Sequence, residues 1–397
     1  MQLPVKILLI CCFGCIQLNA LSQKKEKSYT IKGYVKSLQS VNIIDDPLFV
    51  AVLGSKAITS NFLHNRLNFK WYINDNITYA TDLRTRFFWG EALKTGFLSA
   101  ENIGSDVGIT DLSFNVFKND YSLLNTQIDR LWLNWYKDKW EVRIGRQRIN
   151  WGINIAFNPN DLFNTYNFFD FDYEERPGAD AIKVTYNPNF NSSFEFAFSP
   201  PKIDSTFNLN KSVSAIKYSF NKWNYDFQVI GGYYKTDVAL GIGWAGNIKN
   251  GGFKGEATYF IPTAADGKDN LNIALTYDNV FGKVYFQVAT LYNLKGSTSS
   301  GIGELALLTN TNLSPKNLFP FKYTFLTSGI ITLNPLNTIT AAVIYSPGAN
   351  ALILTPSFSH SIANNWSIDC FVQSFFLEQE KFKHFTSNAT LRLRWSF

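Results

Sequence analysis

The last ten residues constrain this chain more than any other stretch. From Asn388 to Phe397, Ala389, Leu391, Leu393, Trp395 and Phe397 share one parity, and Thr390, Arg392, Arg394 and Ser396 share the other. Successive side chains of a strand point to opposite faces, so this period of two specifies a strand with one apolar and one strongly polar face. The pattern recurs upstream. Leu67, Phe69, Trp71 and Ile73 alternate with Arg66, Asn68, Lys70 and Tyr72, and Tyr79, Leu83 and Phe87 oppose Asp82, Arg84 and Arg86. Phe194, Phe196 and Phe198 alternate with Ser193, Glu195 and Ala197, and Tyr225, Phe227 and Val229 with Asp226 and Gln228. A soluble sheet holds such strands between a core and water, and a transmembrane barrel holds them between lipid and water.

Composition closes off the rivals. Aromatic residues make up 16% of the 397 and charged residues only 17%, below the ~25% usual in soluble domains, so the chain is not disordered. Mean hydropathy is −0.09, and the longest apolar run, Ile7 to Ile16, is too short for the ~20 residues of a spanning helix. That run follows Lys6 and precedes Ala20-Leu21-Ser22, the pattern of a secretory signal over residues 1–22 with Gln23 as the mature N-terminus. The rival reading lipidates Cys15, in a poor lipobox. Removing the signal takes Cys11, Cys12 and Cys15 with it, leaves Cys370 with no intramolecular disulfide partner, and lowers the net charge from +6 to +5. With no concentrated basic stripe, nucleic acid is not an expected partner.

About eighteen alternating segments (range 16–18) start near Tyr29, Asn61, Asn76, Leu123, Lys139, Ala179, Asn191, Lys211, Trp223, Asp237, Gly251, Asn270, Lys283, Pro320, Asn337, Ala351, Asn365 and Lys383. Short turns rich in Asn, Asp, Gly and Pro follow the even-numbered segments, such as Asn74-Asp75-Asn76, Lys137-Asp138-Lys139 and Ala363-Asn364-Asn365. Long connections, 39–60, 90–122, 151–178 and 295–319, follow only odd-numbered ones. This two-beat rhythm predicts an all-β fold over residues 23–397: a single transmembrane antiparallel up-and-down β-barrel in the outer membrane of a Gram-negative bacterium, with both termini periplasmic. Its partners are the outer-membrane lipids and, through the C-terminal strand ending in Phe397, the barrel-assembly machinery. A secreted sandwich or solenoid would leave too many aromatics in water.

The stretch Val142 to Gly178 is the most informative. Gly145-Arg146-Gln147 closes a strand, Trp151-Gly152 follows, and Asn158-Pro159-Asn160-Asp161 and Arg176-Pro177-Gly178 lie in the loop beyond. Over these 40 or so residues the chain resembles the alginate-export-type and related porin-like outer-membrane barrel families. The resemblance implies a porin-like barrel, with oligosaccharides or uronates as the solutes. The loop is crowded with aromatics that would be uncomfortable in water. Folding into the barrel as a constriction would pack them and would bring Trp151, Asp170, Asp172, Glu174, Glu175 and Arg176 to the pore; packing over the mouth as a lid is the alternative.

Parity also assigns the lumen wall. Opposite the apolar face lie Arg66, Lys70, Arg84, Arg86, Arg143, Arg392 and Arg394, with Lys183, Lys217 and Lys283, against fewer acids, chiefly Asp82, Glu141, Glu195 and Asp226. A charge on the lipid face would cost ~2–4 kcal/mol at the midplane, so these line the lumen. Inward arginines attract anions, although charges that merely pair within a polar lumen would read the same way. Arg146 and Arg148 share the apolar parity and belong at the rim or beyond a bulge. The three histidines, His64, His360 and His384, have no metal-ligand spacing, and no nucleophile elbow or phosphate loop is present. His360 and His384 read as girdle or lumen residues. No cofactor, metal or catalytic residue is assigned. The expected function is a non-enzymatic channel for diffusion or export of small polar or anionic solutes; the alternatives are an outer-membrane hydrolase and a non-conducting structural or adhesive barrel.

Overall fold

The computed structural model describes residues 28–106, 108–165, 175, 177–203, 208–299, 313–378 and 380–397. The signal segment, Asp170, Asp172, Glu174 and Arg176 lie outside the described residues. The alternating segments form strands β1 (Tyr29–Ile44), β2 (Ala57–Tyr72), β3 (Ile77–Trp89), β4 (Ser113–Lys118), β5 (Ser122–Lys137), β6 (Trp140–Gln147), β7 (Ala179–Asn189), β8 (Ser192–Ser199) and β9 (Val213–Lys222). They continue as β10 (Tyr225–Tyr234), β11 (Asp237–Ile248), β12 (Gly251–Pro262), β13 (Asn270–Phe281), β14 (Val284–Asn293), β15 (Tyr323–Asn334), β16 (Asn337–Ser346), β17 (Ala351–Ala363), β18 (Trp366–Glu378) and β19 (Phe382–Ser396). Each wall strand pairs antiparallel with its neighbours around the wall, and β1 pairs with β19 from Tyr34↔Ser396 to Ile44↔Thr386, so the wall closes on itself.

Eighteen strands make the wall; the nineteenth, β4, was not foreseen. β6 stops after eight residues, whereas β5 runs for sixteen. The far half of β5 would therefore expose unpaired backbone groups on that side. β4, from the long connection between β3 and β5, takes that place, pairing Ser113↔Gln127 through Lys118↔Leu123. The first connection is also shorter than expected. β1 reaches Ile44 and β2 begins at Ala57, because alternation continues past the apolar band, and Pro47–Leu53 (α1) fills what remains. Asp46 caps α1 by accepting from the amides of Leu48 and Phe49.

The apolar parity faces out. Leu63, Leu67 and Trp71 of β2, Leu240 and Ile242 of β11, and Leu391, Leu393 and Trp395 of β19 are all exposed, while Lys36, His64, Arg66, Glu256 and Thr258 on the other parity are buried. A water-soluble protein would not invert burial in this way; a barrel whose outer face meets lipid must. Aromatics crowd the short-turn end, where Trp366 stacks on Trp395 and Trp140 meets Tyr186. A second belt, with Tyr323, Tyr345 and Phe382 exposed, lies at the long-loop end. Both chain termini of the barrel lie at the short-turn end, where Gly33 and Phe397 exchange two backbone hydrogen bonds of 2.9 Å. No helix among the described residues is long and apolar enough to cross a membrane.

Candidate functional site

The barrel interior is occupied by loop, and the loop's path begins at Gly145. Its φ of +114° lies where L side chains are strained, and a Cβ there would sit 2.2 Å from the Leu131 carbonyl oxygen. Two residues later the chain leaves the wall. Asp161 Oδ1 accepts from the amides of Trp151 and Gly152 at 2.7 and 2.6 Å, folding the loop on itself. Glu256 on β12 then accepts from Ile153, Asn154 and Asn160 amides at 2.6, 2.7 and 3.0 Å. Asn160 donates to the Ile242 carbonyl and accepts from the Thr258 hydroxyl, and Gln228 donates to the Trp151 carbonyl. Because Gln228, Glu256 and Thr258 share the inward parity, residues 149–164 coat the inside of β10–β12. A second connection joins them: Phe157 packs edge-on against Phe319, and Phe319 and Phe321 are buried.

The same loop reaches the other wall. The Tyr34 hydroxyl on β1 donates to both oxygens of Glu175 at 3.2 Å, and Arg66 on β2 lies 3.8 Å from the same carboxylate. On that wall the register sets inward side chains beside one another. Arg394 pairs with Lys36, Lys36 with His64, His64 with Arg86, and Arg86 with Asn125. One step toward the short-turn end, Tyr34 pairs with Arg66, Arg66 with Arg84, and Arg84 with Gln127. One row of bases therefore crosses β19, β1, β2 and β3, and a second, Arg66 with Arg84, crosses β2 and β3. The carboxylates gather about Arg66, which contacts Asp82 at 2.9 Å and Asp129 at 2.6 Å.

The expected wall residues divide by their settings. Arg84 donates to Gln127, and Arg86 donates to Asn125 and to the Ile103 carbonyl. Arg394 lies over the Tyr34 ring at 4.6 Å. Nearer the short-turn end, Arg143 and Lys70 both face Trp132, Arg143 pairs with Glu141 at 2.8 Å, and Arg392 pairs with Asp369 at 2.9 Å. Arg66 is only 2% exposed and carries a structural ion cluster rather than an open face. Trp151 is likewise 2% exposed: its indole donates to Glu195 and it anchors the loop to the wall instead of facing the pore. Lys183 and Lys217 are drawn to Glu195. Lys283 lies in the turn after β13 and is exposed at the short-turn end, because the strand finishes two residues before it.

Arg146 does sit at the edge of the wall. It bridges Asp106 at 2.5 Å and Asp180 at 2.8 Å, fastening the connection that carries β4 over the place where β6 ends. Gly145-Arg146-Gln147 and Trp151-Gly152 are thus the hinge and fastening of the inward loop. Lys36, Asp129, Arg130 and Glu256 escaped the sequence reading. Asp129 is the extra residue of a bulge opposite Asp82 and Leu83, and nothing local marks a buried glutamate on β12 as the acceptor for a loop about a hundred residues away.

No protein-family model and no curated protein matches the sequence. Solved structures do match the fold. Acinetobacter baumannii OccAB4 superposes with a TM-score of 0.58 at 10% identity, covering 95% of this chain and 100% of that one. A BenF-like porin from Pseudomonas fluorescens Pf-5 gives 0.60 at 10% identity, covering 94% and 99%. Pseudomonas aeruginosa OpdK, in a structure with vanillate, gives 0.56 at 10% identity over 92% and 98%. The closed eighteen-strand barrel with its exposed apolar belt is the architecture of an integral protein of the Gram-negative outer membrane.

Proposed function

We propose that this chain is a passive channel for small polar or anionic solutes, with residues 148–178 as its constriction and the bases of β19, β1, β2 and β3 as its anion-attracting wall. The observation that carries this reading is the side-by-side register of Arg394 and Arg86, both half-buried, with the fully buried Lys36 and His64 between them, across the barrel from a loop fastened to the opposite wall. A ring or row of fixed positive charge in a narrow aqueous path raises the local concentration of anions and replaces part of their hydration. Carboxylates and small acidic sugars fit that chemistry; neutral oligosaccharides gain less from it. The porin-like neighbours, one of them crystallised with the aromatic carboxylate vanillate, support a solute of this size and charge. In this reading the short-turn end and both termini face the periplasm, and Phe397 ends the strand that assembly machinery engages.

Planar-bilayer recording tests the proposal. Purified protein should insert with discrete conductance steps, and a potassium chloride gradient should give a reversal potential of anion-selective sign that shrinks as salt rises. Deleting Phe168 to Tyr173 should increase the step size. A barrel that inserts without conducting, or one selective for cations, would overturn the reading, the second outcome assigning the filter to the loop carboxylates.

A further inference from the structure

On the outside of the barrel, away from the lumen, four side chains at the long-loop end of β1, β18 and β19 form a continuous hydrogen-bond chain. Asp45 Oδ2 lies 2.6 Å from His384 Nδ1, His384 Nε2 lies 2.7 Å from Ser387 Oγ, and Ser387 Oγ lies 2.7 Å from Ser374 Oγ. Asp45 and His384 are 339 positions apart. The carboxylate can only accept from Nδ1–H, which leaves Nε2 as an acceptor for the Ser387 hydroxyl; the Ser374 hydroxyl then donates to Ser387 Oγ. Every proton in the chain has one consistent direction.

This geometry is not a by-product of a regular strand. Residues three apart in a strand face opposite sides, so His384 and Ser387 would be divided between lipid and lumen. The register shift that pairs Phe375 with Thr386 but Phe376 with His384 makes Phe385 an extra residue. The bulge turns His384 back to the outer face, where Ser374 and Ser387 already stand opposite each other. Phe385 is buried against Phe49 of α1 at 5.4 Å, and its carbonyl accepts from the Asp45 amide at 3.0 Å. The bulge thus fixes both the imidazole and its carboxylate partner.

We propose that Ser387, His384 and Asp45 form a serine esterase site that cleaves acyl esters of outer-leaflet lipids, an activity separate from solute passage. The arrangement has the roles of a Ser-His-Asp triad, which is recognised by geometry and not by chain order. Ser387 Oγ attacks the ester carbonyl carbon while its proton passes to His384 Nε2. The tetrahedral adduct collapses with cleavage of the bond to the alcohol oxygen, which takes that proton, leaving an acyl group on Ser387. Water then adds to the acyl carbon, giving its proton to His384, which returns it to Ser387 Oγ as the fatty acid departs. Asp45 acts as a positioning residue that fixes the imidazole tautomer. Ser374 Oγ–H is a donor within reach of the developing oxyanion.

The substrate class follows from the surroundings. Ser387 pairs with Ile43 across the β1–β19 seam, and Ile43 and Val41 are 46% and 42% exposed on the lipid-facing parity. Phe376 stacks on Phe382 and meets the His384 ring edge-on at 5.3 Å, placing the nucleophile in the aromatic belt where lipid acyl esters sit.

The test uses the full-length barrel in detergent, with a fluorophosphonate probe and mass spectrometry of the labelled peptide. Folded wild type should carry the adduct on Ser387; Ser387→Ala and His384→Ala should lose it; Asp45→Asn should slow it by about 10²–10⁴-fold. Heat-modifiable gel migration identifies variants that have folded, and Ser374→Ala, which spares the nucleophile, should label more slowly than wild type. Phosphatidylethanolamine vesicles and purified lipid A, in separate arms, should release fatty acid in at least one. No adduct on the folded wild type, or equal labelling of His384→Ala, overturns the site. Labelling with no release in either arm overturns the lipid as substrate.

Discussion

The two sides of the lumen use the same inward parity for opposite ends. On β8 and β10–β12, carboxylates and amides are spent on the loop: Glu256 is fully buried holding three backbone amides, and Glu195 holds Trp151 and Lys217. On β19, β1, β2 and β3, the inward groups are mostly bases set in rows, and the loop touches them through Glu175. A polar lumen is therefore not uniformly functional. One wall is the inside of a packed domain; the other is basic, with Lys36, His64, Arg66 and Arg84 buried and Arg86 and Arg394 half-buried.

Removing Glu256 should break this contrast most severely. Glu256→Ala leaves three buried amides without their charged acceptor, a loss of roughly 3–5 kcal/mol. The folded band on semi-native gels should disappear at lower temperature, and single-channel conductance should rise as the loop detaches. An unchanged conductance would mean that the loop does not narrow the path. The paired change Arg84→Ala with Arg86→Ala should come next. It should move the anion-to-cation permeability ratio toward unity at low salt, with little difference in 1 M salt, where the screening length is about 3 Å. If selectivity is unaltered, the rows on this wall are structural after all.

A smaller shift in the other direction is expected of Glu175→Gln, which removes the one described loop carboxylate facing Tyr34 and Arg66. Anion preference should increase modestly, read as a shift of roughly a few millivolts in reversal potential, well below thermal energy per charge. The smallest effect belongs to Glu101, outside both walls. Its hydrogen bond from Lys118, at 2.7 Å, pulls its carboxyl down to about 2. Because the folded value lies below the unfolded one of about 4.3, whatever this pair contributes is complete above about pH 4.3 and disappears as pH falls through 2. Both side chains are well exposed, so Glu101→Gln should leave the unfolding temperature at neutral pH unchanged within error.

Which residues were legible before the structure follows from how each signal is encoded. Arg84, Arg86 and Arg394 could be assigned to the lumen because parity alone decides which solvent a strand residue meets. Arg66 is placed in the interior for the same reason, and Trp151 by the expected inward fold of its aromatic-rich loop, but neither signal distinguishes a residue facing open water from one buried against the wall. β4 was missed because its six residues look like any loop segment until β6 ends early and leaves β5 unpaired. The segment expected to start near Trp223 begins at Tyr225, because Trp223 and Asn224, both with positive φ, form the hairpin turn, a geometry that the twist of the strands favours over the residue preferences.

By itself, the sequence determined that this chain is a closed barrel: alternation, aromatic belts and alternating short and long connections are local properties, repeated until only one architecture satisfies every backbone group in lipid. Tertiary structure alone decided what that barrel can do. Glu256 meets the amide of Ile153 across 103 positions, and Asp45 meets His384 across 339. Such pairings depend on strand register, and one-residue bulges at Asp129 and Phe385 reset that register and turn side chains from one face to the other. A period of two cannot announce where it will be broken, because the bulge is set by what packs on either side of the wall, not by the residue that is added.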